Sequence, residues 1–462
     1  MTYDRSRLES DLRALEGVPV FVAYNANVDA VVRVDAELES ALDRPTAPGE
    51  RAPPSPLTSK RDLAAAITHA MAAGRGDEVA MADEFAAELE SGFDSDVQQM
   101  GGQTGIITNL VSALGGAPIA YTYLLSDRQL SMFDRSDAVR YPAVENGQVT
   151  FVPLEEAPAA DRTKINWVFE FGVGDELFGV RAAEDTRFIA ASRPPEFDLT
   201  TGALDAHVDQ VGEVVEGALL AGYHNLTPAH VDDGYAERLR HARDVVRRFR
   251  SGGDPKVHIE CAVTHDEDLR EAIYELILPE ANVIGADASE LAVLHDDAEI
   301  EAVDDEPTSN APFEVDEILT HYRMLSALRE DLGVGCIRLH AMEYHLAVMD
   351  SYLSPEAVLR GMKFAAVNAA TKAARGSITA PSDLETGLTY DPSTDGREAI
   401  ERLAEHVDET ADDGTLCTPT LVACPNRVVE DPAGTVGIGD IVSASSFTLE
   451  LAVAEDRREQ EQ

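Results

Sequence analysis

The residues best placed to do chemistry in this chain sit near its C-terminus, in TVGIGDIVSASSF at 435–447. Gly437 and Gly439, on either side of Ile438, free the backbone so that successive N–H groups turn toward one point. A helical pattern through Ile441, Val442 and Phe447 follows. Amides gathered at a helix N-terminus hold an anion, and phosphoryl transfer needs such donors because its catalysis is mostly positioning and charge stabilisation. Asp440 stands at the mouth of the turn, where its carboxylate could accept the proton of an attacking hydroxyl. With an ordinary Asp pKa near ~3.9, lowered further by the helix N-terminus, it is expected to be ionised and to act mainly by orienting that hydroxyl. A Gly-rich turn with an aspartate is also a common way to cap a helix, so the segment alone leaves both roles open.

Other polar clusters follow apolar runs. AYNANVDA at 23–30 carries Asn27 and Asp29 just past the run VPVFVAY, and MGGQTGIITN at 100–109 carries Gly102 and Gln103 ahead of a helical pattern. Amide and carboxylate side chains suit paired hydroxyls, although Asn and Gly are also ordinary turn residues. His258 and Glu260 lie two apart in KVHIECAV and face the same way if that run is a strand. Asp287 and Glu290 in GADASEL form an acid pair that could serve a metal or belong to an acidic surface. Arg187 in EDTRFIA could bind phosphate or make a surface ion pair. The region of Arg338, His340 and His345 lacks the HExxH spacing of a metal site.

The elements that must position these groups read as alternating strands and helices. Continuous apolar runs at 18–24, 256–263, 281–286 and 335–340 predict buried strands, and the patterns at 103–114, 232–250 and 266–278 predict helices. This alternation predicts an α/β sandwich around a mostly parallel sheet, whose ligands collect at the carboxyl ends of the strands. Stretches 43–60, with five prolines, and 296–316, dense in acid, read as loops, as does the tail from Glu455.

A chain of 462 residues has room for a large domain and a smaller companion. Its 37 Lys and Arg against 85 Asp and Glu leave a formal charge of -48, with only Lys60, Lys164, Lys256, Lys363 and Lys372 as lysines. Acids spread along the whole chain suit high intracellular salt, where the Debye length falls to about 3 Å at 1 M. Nucleic acid and anionic membranes are poor partners for such a field. The charged N-terminus and the absence of a long apolar run predict a soluble, cytoplasmic protein. Cys261, Cys336, Cys417 and Cys424 show no metal-ligand spacing and read as buried free thiols.

TVGIGD followed by a small-residue helix resembles the signature of the ribokinase superfamily. Together with NANVD, GGQTG, HIE and the WVFEF and DTRFIA stretches at 167–171 and 185–190, it resembles the archaeal ADP-dependent glucokinases and phosphofructokinases. The resemblance runs in family order over most of the chain. It implies a ribokinase-like three-layer αβα sandwich with a smaller α/β lid, assigned to 31–98 and 126–195, over a large domain of 1–30, 99–125 and 196–462. It implies a glycolytic kinase that moves the β-phosphoryl of ADP to glucose or fructose 6-phosphate with Mg2+, leaving AMP, and a monomer. The sites implied are Asp440 as base with the 437–439 turn, Asn27, Asp29, Gly102 and Gln103 for the sugar, and Arg187 and His340 for phosphate or nucleotide. Glu260, Asp287, Glu290 and Asp440 would serve the metal, with Asp287 standing where the superfamily usually has Asn. Glu84, Glu88 and Glu90 are candidates for a glucose-binding acid, and Lys164, Arg187 and Arg193 for a phosphate clamp. An ATP-dependent relative or a binding protein without turnover are the alternatives. The charge makes one prediction: the thermal unfolding midpoint, followed by circular dichroism, rises steadily as KCl is raised from about 0.1 M into the molar range where the Debye length is a few Å. A flat or falling midpoint contradicts the salt reading.

Overall fold

The computed structural model describes every residue except 1–2, 158, 198, 200–201, 232–233, 263, 299–314, 435 and 462, and leaves undescribed the side chains of 455–461. Among the described residues the large sheet has 11 strands. Its centre is parallel, running from Cys336–His340 through Val283–Ala286, Lys256–Glu260, Gly217–Ala221 and Pro19–Tyr24 to Ala117–Ala120. Antiparallel strands finish both edges.

Alternation along these strands feeds two cores. Phe21 and Ala23 point to one face and Val20 and Val22 to the other. The first face is covered by helices that include Tyr235–Ser251, Glu267–Leu276 and Glu317–Leu332, the second by Arg5–Leu15, Gln103–Ala113, Pro355–Arg375 and Ile438–Glu461. This is the expected αβα sandwich, of ribokinase-like type.

A second sheet of five strands orders as Asp77–Met81, Thr186–Ser192, Ile165–Phe171, Asn27–Arg33 and Val97–Gly101. One face buries Val28, Ala30, Trp167, Phe169, Phe188 and Ala190 under helices Lys60–Ala73 and Asp83–Gly92. The other face carries polar members of the strands, with Asp29 beside Asn166 and Ile189 beside Glu78 in the ladder. Polar residues at alternate positions of otherwise apolar strands mark a face built to meet ligand or solvent.

The chain crosses between the sheets at Asn25–Ala26, where Pro19–Tyr24 gives way to Asn27–Arg33. It returns at Gly102, between Val97–Gly101 and the helix Gln103–Ala113. Gly102 has φ 73°, and a Cβ there would lie 2.6 Å from the Asn25 carbonyl oxygen. Only glycine lets the two crossings lie this close.

The expected lid segment 126–195 needs correction. The hairpin Arg140–Glu145 and Gln148–Pro153 joins the edge of the large sheet, where Arg140 pairs with Ile119 and Tyr141 packs on Tyr121 at 5.8 Å. The small sheet takes this part of the chain only from Ile165, and its first and last crossing strands begin at Asn27 and end at Gly101. Stretch 43–60 is a loop, yet Leu57 is buried and bridges to Met81, so proline there stiffens a packed connection. Stretch 296–316 falls largely on residues outside the description, and the tail from Glu455 continues the last helix as far as Glu461. Of the cysteines, Cys336 and Cys424 are buried, but Cys417 is exposed.

The helix Ile438–Glu461 is tied to the sheet by a buried ion pair. Arg338 donates Nη1 and Nη2 to Glu450 Oε1 and Oε2 at 3.0 and 2.8 Å, and Ser446 and Tyr352 complete the set. Removing one partner of a buried pair leaves an uncompensated charge and costs about 3–5 kcal/mol, whereas replacing both with apolar groups is often neutral. Arg338→Met or Glu450→Leu alone should therefore lower the urea midpoint far more than the double variant. Equal losses in all three would refute this role.

Candidate active site

The carboxyl ends of the parallel strands and the polar face of the small sheet enclose a cleft of about 280 Å³. Its lining includes Asn27, Asp29, Gly102, Gln103, Arg187, Glu260, Asp287, Glu290, His340, Gly437, Gly439 and Asp440. Segments more than 400 residues apart in sequence thus meet in one place. Ile438 does not reach the cleft through its side chain, which packs with Ala365, Ala369 and Val442 and helps seat the turn.

The glycine turn opens the last helix as its residues suggest. Gly437 has φ 74° and its carbonyl accepts the Ile441 N–H at 3.0 Å, so the helix begins at Ile438. Asp440 lies inside the first turn, which removes the reading of Asp440 as the cap. A Cβ on Gly439 would sit 2.8 Å from His340 Nε2, so the strand ending at His340 packs directly on the turn.

Asp440 is not the depressed acid that its sequence position suggests. Burial and the nearby carboxylates of Glu260 and Asp29 push its pKa up to about 8, against a hydrogen bond from Gln103 and the charge of Lys372. The helix N-terminus is outweighed because three acids share one poorly solvated space. Ile106, on the helix that follows the second crossing, packs on the glycine turn, its Cδ1 lying 2.8 Å from where a Cβ on Gly437 would sit.

Asn27 donates to Asp29 Oδ1 at 2.6 Å in a fully buried pair. Burial raises Asp29 to about 6, opposed by that bond and by Lys164. His258 and Glu260 do face the same way, with Nε2 and Oε2 2.8 Å apart. Burial pushes Glu260 up, but the His258 bond and the fields of His340 and His258 win, so it sits below the usual carboxylate range. His340 Nε2 is 3.8 Å from the other Glu260 oxygen.

Asp287 and Glu290 form a capping box at the start of Ala288–Asp297. The Glu290 N–H donates to Asp287 Oδ1 and the Asp287 N–H to Glu290 Oε2, both at 2.8 Å. The box does not exhaust them. Burial together with Asp287, Glu260 and Asp440 drives the Glu290 pKa well upward. This all-oxygen, mutually repelling donor set fits a hard divalent cation. No three His, Cys, Asp or Glu side chains among the described residues close on one point as a direct metal site.

At the small-sheet end, Lys164 is fully buried and donates to Asn25 Oδ1 at 2.9 Å and Asn225 Oδ1 at 3.2 Å. Burial and Arg193 lower its pKa to about 7. Arg193 is paired with Glu78, and the fields of Asp29, Glu170 and Glu78 act on Arg187. Glu84, Glu88 and Glu90 are exposed on the outer helix, Glu90 pairing with Arg128. The acid that this region does offer the cleft is Glu78, one strand earlier. Arg338 and His345 are buried behind the cleft rather than in it. Asn25, Asn166, His224 and Asn225 also line the cleft and were not singled out from sequence, although a lone Asn in the apolar run INWVFEF was a usable signal.

Fold and cleft together define a ribokinase-like enzyme with a cleft between its two sheets. The chain matches, over residues 18–449, the family described as the ADP-specific phosphofructokinase/glucokinase conserved region, and it belongs to that family. It is 30% identical to the ADP-specific phosphofructokinase of Thermococcus zilligii, across 97% of this chain and 99% of the relative. An ADP-dependent kinase solved with fructose 6-phosphate and ADPβS superposes with a TM-score of 0.82 at 28% identity, covering 97% of each chain. A phosphofructokinase of Pyrococcus horikoshii OT3 solved with AMP gives 0.77 at 28% identity, over 96% of this chain and 99% of that one.

The raised Asp440 carries a sign. A carboxyl pushed up to about 8 is protonated below that pH, so chemistry that uses it as a proton acceptor gains kcat/KM as pH rises through about 8 in the free enzyme. Gln103→Ala removes a bond that favours the ionised form and should move this limb to higher pH. A limb that stays put, in rates measured at constant ionic strength, would show that Gln103 does not act on Asp440.

Proposed function

We propose that this ADP-dependent sugar kinase is a phosphofructokinase, passing the β-phosphoryl group of ADP to a free hydroxyl of fructose 6-phosphate and releasing AMP. The observation that carries this reading is the single cleft in which the glycine turn with Asp440 faces Asn27, Asp29, Gly102 and Gln103. Asn27, Asp29 and the Gly102–Gln103 backbone hold the sugar with its hydroxyl toward Asp440. The oxygen forms a bond to the β-phosphorus as the bridging bond to the α-phosphate breaks, and Asp440 takes the hydroxyl proton. Amides of 437–440 receive the charge on the phosphoryl oxygens, where one donor typically contributes about 10²- to 10³-fold in rate. Glu260, Asp287, Glu290 and Asp440 would hold a Mg2+ ion, which would supply positive charge to offset the phosphate and the carboxylates. His340, against Gly439, and Arg187 border the phosphates. The small-sheet unit acts as the lid, closing over the sugar to keep water from competing as acceptor.

Preference for the sugar phosphate is supported by Lys164, Arg187 and Arg193 gathered at the small-sheet end, and by the phosphofructokinase names of the relatives. Glucose is the second reading, favoured by one observation, the Glu78 carboxylate in the same end of the cleft. The enzyme works as a cytoplasmic monomer, with free cysteines that suit a reducing compartment. Among the described residues no helix is long and apolar enough to cross a membrane.

A substrate panel at molar KCl with ADP and Mg2+ tests this. Fructose 6-phosphate should be phosphorylated with the best kcat/KM, and Lys164→Met should raise its KM at least tenfold while leaving any glucose activity unchanged. Asp440→Asn should lower kcat by about 10²- to 10⁴-fold, the scale of a lost general base, and keep binding of both substrates. Preferred use of glucose overturns the sugar assignment, and undiminished turnover in Asp440→Asn overturns the base.

A further inference from the structure

The cleft gathers six carboxylates, Asp29, Glu78, Glu260, Asp287, Glu290 and Asp440, and must still accept a nucleoside diphosphate. Positive charge on the donor side is therefore a requirement. Three identified cations, Lys164, Arg187 and Arg193, belong to the sugar end. Of the remaining lysines, Lys60 lies over the Phe93 ring on the small-sheet unit, Lys256 neighbours Asp254, and Lys363 lies near Cys417 and Cys424.

Lys372 is different. It sits in the last turn of Pro355–Arg375, a helix whose Ala365 and Ala369 pack on Ile438 and Val442 at the start of the catalytic helix. One turn beyond Ala369, it is level with the loop that leads into the glycine turn, and the Ala433 N–H of that loop donates to the Ala373 carbonyl at 2.7 Å. Its Nζ donates to the Gly376 carbonyl at 2.6 Å. The charges that act on it are those of Asp440 and Asp29, the acids on either side of the reacting hydroxyl. A half-buried ammonium beside a phosphate cradle, satisfied by one carbonyl and carried on a flexible four-carbon stem, can change partner when an anion arrives.

We propose that Lys372 is a phosphate-binding residue of this active site, whose ammonium leaves the Gly376 carbonyl and takes an oxygen of the nucleotide's phosphate chain when the donor binds. This rests on the reading of the glycine turn as the phosphate cradle. The competing explanation is a lysine that only caps its own helix, a common use of the residue at a C-terminus.

Binding of AMP and of adenosine, with steady-state kinetics and thermal midpoints, separates the two. Lys372→Met should lower kcat/KM for ADP about 10²-fold, the scale of one lost donor. It should weaken AMP at least tenfold and leave adenosine affinity and the KM for the sugar unchanged. Lys372→Gln can still donate to Gly376 and keeps the fold if the cap matters, so it should show the same loss of AMP relative to adenosine. An unchanged AMP-to-adenosine ratio in Lys372→Gln overturns the proposal, whether or not Lys372→Met is folded. A lowered midpoint with that ratio unchanged assigns Lys372 to the cap alone. If the underlying reading of the cleft were at fault instead, Asp440→Asn would keep its turnover, an outcome independent of Lys372.

Discussion

Crowding of carboxylates in a poorly solvated cleft is the constraint on which the rest of this molecule depends. Burial raises Asp440, Asp29 and Glu290, and neighbouring carboxylates add to the rise at Asp440 and Glu290, while the His258 bond holds Glu260 down. The cluster is at odds with an anionic donor until positive charge enters. Around the acids stand Arg187 on the small-sheet side and the glycine turn at Gly437 and Gly439 on the other.

The two sheets make that crowding possible. Parallel strands deliver Glu260, Asp287 and His340 at their carboxyl ends, while the polar face of the small sheet delivers Asp29, Asn166, Arg187 and Glu78 from across the gap. The chain passes between the sheets beside Asn25 and Gly102, so the loops that carry Asn27 and Gln103 into the cleft are also connections between the two units. The Arg338–Glu450 pair holds the catalytic helix to the large sheet, which keeps Asp440 in register with strands far from it in sequence.

What was legible in the sequence is what local physics decides. A turn with two glycines and an aspartate, NANVD after an apolar strand and GGQ before a helix each bring their own geometry, and all three converge as expected. His258 and Glu260 were legible through the period of a strand. What was not legible depends on pairing between distant segments. Glu78 joins the cleft because its strand lies beside Thr186–Ser192, whereas Glu84, Glu88 and Glu90 fall on an exposed helical face. The hairpin at 140–153 reads as lid by position in the chain and joins the large sheet through its edge. Burial, together with acids some 180 and 410 residues away, raises the pKa of Asp440, so its own neighbours could not reveal it.

The account turns on the protonation state of Asp440 in the ligand-free cleft and on its reversal when the site is filled. Infrared difference spectroscopy of the carboxyl stretch at pH 7 reads this directly. The account predicts a protonated carboxyl band in the free enzyme that is absent from Asp440→Asn and disappears from the wild type with fructose 6-phosphate, a non-transferable ADP analogue and Mg2+. A band that persists in the filled site, or one indifferent to the Asp440 substitution, would contradict it.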